Sequence, residues 1–209
     1  MIDFFVQGIT LLTQIFFPET QYERDLRIRH ESGTFPRAPR TPYPWLFALA
    51  SYKSPLIKKC IYRIKRMPSR TLCTIFAEHL HARIIKEFPD EEQYLLVPIP
   101  LSADRKRARG YNQSELLIRY LMKQDSRYYY SPLLSKIKST RKQARITSRA
   151  MRSRNMDHAF TAVSSPPQNM QRLCIIIDDV TTTGATLGEA RRALQSSGYE
   201  RIIACTLAH

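Results

Sequence analysis

The sequence predicts an α/β fold, with a central, mostly parallel sheet flanked by helices. Short apolar runs alternate with segments of helical periodicity, the pattern of parallel strands joined by helical crossovers. The run Leu173 to Ile177 is apolar throughout, as a strand covered on both faces must be. A length of 209 residues with 43% hydrophobic content suffices for one such core with appendages.

The elements follow in order. Phe5, Ile9, Leu12 and Phe16 share one helical face, so Met1 to Phe17 reads as a short docking helix. A membrane-surface helix is the lesser alternative, because the polar face has no lysine or arginine. Asp3, a start without basic residues and the lack of a small-residue cleavage site argue against a signal peptide. Residues 30–44 hold Pro36, Pro39, Pro42 and Pro44, which predicts an extended connector. It divides an N-terminal arm and connector (1–45) from the main domain (46–209).

Ser54-Pro55 opens a helix with a capping hydroxyl and a first-turn proline; Leu56, Cys60, Ile61 and Ile64 line one face and Pro68 ends the segment. A second helix is expected from Ser69 to Phe88, on Leu72, Phe76, Leu80 and Ile84, with His79 and His81 at its surface. Tyr94 to Ile99 reads as a strand, followed by a loop from Pro98 to Arg109. A helix follows from Asn112 to Met122, capped by Asn112 or Tyr111, with Leu116, Leu117, Tyr120 and Leu121 near its buried face. Strands are expected at Tyr128 to Leu134, at His158 to Val163 with Phe160 inward, and at Arg201 to Leu207; a helix at Leu187 to Ser197 stops at Gly198.

Lysine and arginine number 33 against 18 acids, a net charge of +15. Such a field attracts polyanions: a phosphorylated small molecule, nucleic acid and anionic lipid all qualify, and a solvated basic surface explains part of it. No apolar stretch approaches a bilayer span. Cys60, Cys73, Cys174 and Cys205 form no CxxC pair, and no histidine completes a zinc spacing. They read as buried thiols of a reducing compartment, the cytoplasm.

The most informative segment is Cys174-Ile175-Ile176-Ile177-Asp178-Asp179-Val180-Thr181-Thr182-Thr183-Gly184-Ala185-Thr186. A buried strand ends in two carboxylates, then a hydroxyl-rich turn with one glycine, then a helix. The turn and helix start offer N–H groups to a phosphate. The carboxylates repel phosphate but can accept from sugar hydroxyls, so a sugar phosphate fits both halves.

This segment resembles the signature of type I phosphoribosyltransferases, which bind 5-phosphoribosyl 1-pyrophosphate (PRPP). A second block narrows the resemblance. Val97-Pro98-Ile99-Pro100-Leu101-Ser102, several basic residues, then Arg109-Gly110-Tyr111-Asn112-Gln113 resemble the ComF family within that group. Lys138, Thr140, Gln143, Arg149, Arg154, Asn155 and Phe160 keep the spacing of that family's next element, and Tyr52 and Lys65 fit its first helix region. The matches span roughly residues 46 to 207.

The resemblance implies a type I phosphoribosyltransferase fold and a set of roles. Thr182, Thr183, Gly184, Ala185 and Thr186 would hold the 5-phosphate. Asp178 and Asp179 would serve catalysis by binding the ribose hydroxyls directly or through Mg²⁺. Ser102, Arg105, Arg107 and Arg109 would hold pyrophosphate, a role that suits the arginine fork. Asn112-Gln113 reads either as part of this block or as a helix cap with a surface amide. Lys138, Arg141, Gln143 and Arg145 fall where the family has a mobile hood over PRPP. Eight basic residues and no acid lie between Lys136 and Arg154. A solvated basic segment and a nucleic-acid contact remain open beside the hood.

One departure matters. Many ComF-like proteins carry a four-cysteine zinc module after a Phe-Pro step; here Phe17-Pro18 is followed by no cysteine before Cys60, so no zinc is expected. The implied activity is phosphoribosyl transfer to an unknown acceptor. The alternative is a non-catalytic PRPP- or nucleotide-binding accessory of DNA uptake (competence), contacting single-stranded DNA or a helicase partner. No membrane association is expected, and a homodimer is compatible with the sequence.

Overall fold

Thr20 opens the first helix by a reciprocal device. Its side chain accepts from the Glu23 backbone, and Glu23 accepts from the Thr20 N–H at 2.7 Å. Helix α1 (Gln21–Glu31) seals Leu26 completely from solvent. The computed structural model describes residues 19–38, 40–137, 159–164 and 171–209. The docking helix expected in Met1 to Phe17 lies outside them.

Strand β1 (Leu46–Ala50) follows the proline-rich connector. Ser54 caps α2 (Pro55–Arg66), and Ser69 caps α3 (Arg70–Glu87). Then come β2 (Tyr94–Pro98), the short α4 (Ala103–Arg109), and α5 (Gln113–Leu121). Strands β3 (Tyr128–Tyr130), β4 (Leu134–Lys136) and β5 (Phe160–Ala162) precede β6 (Leu173–Val180), α6 (Ala185–Ser196) and β7 (Ile202–Ala208).

Five strands form a sheet in the order β1-β7-β6-β2-β3, and every pairing is parallel. β4 and β5 form a separate antiparallel ribbon. This is the α/β class the sequence predicts, a parallel central sheet flanked by helices. Alternation along β6 shares its side chains between two cores. Ile175 and Ile177 join the core that also holds Leu26, Ile61, Phe76 and Leu117 from α1, α2, α3 and α5. Cys174 and Ile176 join the core shared with α6 and the ribbon. Ile177 is fully enclosed, so truncating it to alanine would cost about 2–5 kcal/mol.

Several expectations need correction. Three elements went unpredicted: α1, β1 and α4, the last lying inside the segment read as a loop. β6 runs three residues past Ile177, so both aspartates belong to the strand. The strand expected from Tyr128 to Leu134 divides at Pro132 into β3 and β4, because proline cannot donate to a ladder. His79 is not a surface residue: its ring stacks on Phe35 with centroids 3.8 Å apart, and its Nε2 lies 3.2 Å from Nδ1 of His30. His81 is also only partly exposed and lies 3.0 Å from the Tyr128 hydroxyl.

Candidate functional site at the carboxyl end of the sheet

From β2 the chain continues to β3 on one side, and from β6 to β7 on the other. The direction of winding therefore reverses between β2 and β6. Open α/β sheets bind ligands in the crevice outside the strand ends at such a point. Pro98, the last residue of β2, is in register with Ile177, so β6 projects Asp178 and Asp179 beyond its neighbour's end.

Both carboxylates are tethered. Asp179 Oδ1 lies 3.2 Å from Lys65 Nζ, in the last turn of α2, and the Asp179 side chain is only 13% exposed. Asp178 Oδ1 accepts from the Asp179 N–H at 2.8 Å, and the Ser114 side chain bonds the same carboxylate. Burial pushes the Asp178 carboxyl up to about 7, the adjacent Asp179 adds to that, and the bonds and Lys65 pull against it. Both carboxylates are thus only partly exposed. Their donor set is all hard oxygen, which fits Mg²⁺. Among the described residues no group of three or more histidine, cysteine or acidic side chains gathers to hold a metal. A Mg²⁺ here would be held by the two carboxylates together with ligand phosphates, its usual manner of binding.

The turn after β6 is shaped by Gly184. Its φ of +75° is left-handed, and an added Cβ would stand 2.9 Å from a Tyr43 ring carbon. The Tyr43 hydroxyl donates to the Thr183 carbonyl at 3.3 Å, so the connector packs directly on the turn. Thr182 and Thr183 are exposed, Ala185 and Thr186 partly so. No side chain caps α6, which leaves the helix start to backbone groups; Thr183 Oγ1 accepts weakly from the Ala185 N–H, at 3.4 Å. Aligned N–H groups at a helix start favour an anion.

The residues assigned to pyrophosphate are less uniform. Ser102 caps α4, accepting from the Arg105 N–H at 3.4 Å. Arg107 is exposed and pairs with Asp104. Arg105 is exposed, and its charge reaches Lys136. Arg109 is half-buried and donates to Gln113 Oε1 at 2.8 Å. Lys136, though exposed over much of its surface, has its ammonium held below the ordinary lysine value. Crowding by surrounding protein is the main cause and Arg105 the second, against the pull of Asp178. Lys138, Arg141, Gln143 and Arg145 lie outside the described residues.

Asn112 and Gln113 are buried, at 4% and 1% exposure. Asn112 caps α5 and also donates to the Ile99 carbonyl at 2.9 Å. Gln113 is no surface amide: it reaches the Lys65 carbonyl at 3.4 Å as well as Arg109. The Tyr111 hydroxyl donates to the Ile64 carbonyl. These bonds lash the end of α2 to the loop after β2. Lys65 is the residue beside this site that sequence reasoning placed in a helix without assigning it a partner. Its lysine-rich neighbourhood gave no signal that it alone turns toward Asp179.

No family model matches the chain. It is 30% identical over 143 residues to "Competence protein ComFC" of Bacillus subtilis, covering 68% of this chain and 55% of that protein. It is 32% identical over 107 residues to "Competence protein F" of Haemophilus influenzae, covering 51% and 46%. The chain thus spans about half the length of these two relatives. It is 32% identical over 171 residues to "DNA utilization protein YhgH" of Escherichia coli K12, covering 78% of this chain and 71% of that one. Among solved structures, a hypoxanthine phosphoribosyltransferase of Staphylococcus aureus aligns at a TM-score of 0.38 and 15% identity, covering 65% and 61%. Among the described residues no helix is long and apolar enough to cross a membrane. With the two sequence blocks meeting at one sheet end, and a relative above 30% identity covered over most of its length, the chain belongs to the ComF family.

Proposed function

We propose that this chain binds PRPP with Mg²⁺ at the carboxyl end of β6 and transfers its phosphoribosyl group to an acceptor. The observation that carries the reading is the junction of two carboxylates with an uncapped helix start, across a turn that admits only glycine at its bend. A vicinal diol and a phosphate are the two ends of a ribose 5-phosphate. Asp178 and Asp179 accept from the ribose hydroxyls, and the amides and hydroxyls of Thr182 to Thr186 hold the 5-phosphate. Arg105 and Arg109, with Lys136 nearby, meet the pyrophosphate. Asp178 and Asp179 would hold Mg²⁺, which would supply charge neutralisation to the leaving pyrophosphate. The bond from the anomeric carbon to pyrophosphate breaks as the acceptor attacks, and positive charge on the ring develops beside the two aspartates. Positioning and electrostatics supply the catalysis.

The test is calorimetric titration of PRPP with Mg²⁺, followed by an assay of pyrophosphate release. Binding that disappears in Asp178→Asn/Asp179→Asn supports the reading. Binding unchanged in that variant would overturn it.

A second reading rests on the charge of +15 and on relatives named for competence and DNA utilization. Here the same pocket senses PRPP or a nucleotide without turnover, and basic segments contact single-stranded DNA or a helicase partner. DNA binding that weakens steeply with salt and is displaced by PRPP favours it. Pyrophosphate release on a catalytic timescale excludes it.

A further inference from the structure

Beside the strand-end site lies a second recess. It has a volume of about 450 Å³ and is lined by Tyr62, Lys65 and Arg66 of α2 and by Ala108 and Arg109 of α4. That is ample room for a small-molecule ligand. Three of its five lining residues are cations. Among the described residues, Arg66 and Arg109 have no carboxylate partner, and Lys65 has only Asp179. An ammonium carries three donors, so Lys65 can hold Asp179 and still reach into the recess.

The fourth wall is aromatic. Tyr62 is 58% exposed, so a face of its ring is open to a ligand in the recess. The Arg66 guanidinium lies 4.8 Å from its ring centroid, so a planar cation and a phenol stand together. Flat aromatic bases stack on both kinds of group. A tetrahedral anion beside a planar ring is therefore the shape and charge this recess complements.

We infer that the recess binds a nucleoside 5′-monophosphate unit, with its base against Tyr62 and Arg66 and its phosphate on Lys65 and Arg109. The unit comes either as a free mononucleotide or as one residue of a single strand. The walls are fixed by the ties already described. Gln113 holds Arg109 from one side and the Lys65 carbonyl from the other, and Tyr111 holds Ile64. Through Lys65 and Arg109 this site adjoins the proposed PRPP site without sharing its carboxylates; Arg109 can serve either phosphate, and the base contact at Tyr62 and Arg66 does not depend on PRPP being the ligand there.

The full-length chain is titrated with thymidine 5′-monophosphate, with an oligo-thymidylate and with inorganic phosphate. Wild type, Tyr62→Ala, Tyr62→Phe and Arg66→Gln are compared. The expected result is that Tyr62→Ala weakens thymidine monophosphate about tenfold and leaves inorganic phosphate unchanged, while Tyr62→Phe restores it. Arg66→Gln weakens the nucleotide to a similar degree. A mononucleotide that binds while the oligomer does not identifies the free nucleotide as the source. An oligomer that displaces the mononucleotide, with the same dependence on Tyr62, identifies the strand. Thymidine monophosphate binding no tighter than phosphate, or nucleotide affinity unaffected by Tyr62→Ala, overturns the inference. PRPP affinity is measured in parallel and should be the same in Tyr62→Ala as in wild type, so its failure and this one are read separately.

Discussion

Lys65 Nζ stands 3.2 Å from Asp179 Oδ1, bridging the last turn of α2 to the carboxyl end of the central strand. The two residues lie more than a hundred positions apart in sequence, and the fold brings them together. Asp179 is largely enclosed beside a second carboxylate, and among the described residues the Lys65 ammonium is the cation paired with it.

Removing that cation should leave an uncompensated charge. Lys65→Met is expected to destabilise the chain by about 1–2 kcal/mol, after allowance for the partial exposure of the lysine. Adding Asp179→Asn should restore much of the loss, because the stranded charge is then gone. Urea unfolding of the two variants checks this, and a double variant less stable than Lys65→Met would contradict it.

Asp178 and Asp179 should trade stability against binding. Their charges are crowded together and partly desolvated, so Asp178→Asn/Asp179→Asn should fold with a Tm no lower than wild type. The same variant should lose PRPP binding in the presence of Mg²⁺. Thermal unfolding with and without ligand measures both: wild type gains stability at saturating PRPP, about 2.7 kcal/mol at a hundred times Kd, and the variant gains none.

Gly184→Ala meets two obstacles. Its left-handed φ costs a residue with a Cβ about 1–2 kcal/mol, and the new atom collides with the Tyr43 ring. Tyr43→Ala in the same chain should relieve the collision but not the backbone cost. The double variant is expected to recover part of the lost stability, as measured by denaturant midpoint.

His79 gives a pH dependence. Burial pushes its imidazole down to about 4, with the charges of His30 and Arg37 acting in the same direction; Glu78 faces the cluster by its bond to His30. The unfolded chain, with an ordinary histidine value near 6.5, then binds more protons than the folded one between roughly pH 4 and 6.5. Stability is therefore full above that window and falls as pH drops through it. For a partly exposed ring the loss is roughly 1–2 kcal/mol. His79→Gln should flatten the acid limb of a stability profile recorded from pH 7 to pH 4.5, while leaving the neutral plateau to report any packing cost.

Long amphipathic segments and the paired carboxylates were legible because their signals are local. The apolar period of Leu72, Phe76, Leu80 and Ile84 predicts α3, and the strand-to-turn order at Ile177 to Thr186 predicts the anion-binding end. Three missed elements also carried local signals. Thr20 and Glu23 form a capping box, Leu46 to Ala50 is a short apolar run after Pro44, and Ser102 with Gly110 brackets α4. The burial of Gln113 and the aim of Lys65 had none. A glutamine that accepts from Arg109 and donates to the Lys65 carbonyl, and one lysine chosen from several on α2, are set by tertiary geometry that periodicity does not encode.

Cys60, Cys73, Cys174 and Cys205 are spread through α2, α3, β6 and β7, all buried, and burial pushes each thiol up to about 12. A thiol kept protonated and enclosed does not react with an alkylating reagent. Labelling at neutral pH therefore times the opening of the segment around each sulfur, making the cysteines a built-in clock for local unfolding. Modification at Cys60 and Cys73 ahead of Cys174 and Cys205 would mean that the helical layer detaches before the sheet separates. Four equal rates would mean that both layers open as one cooperative unit.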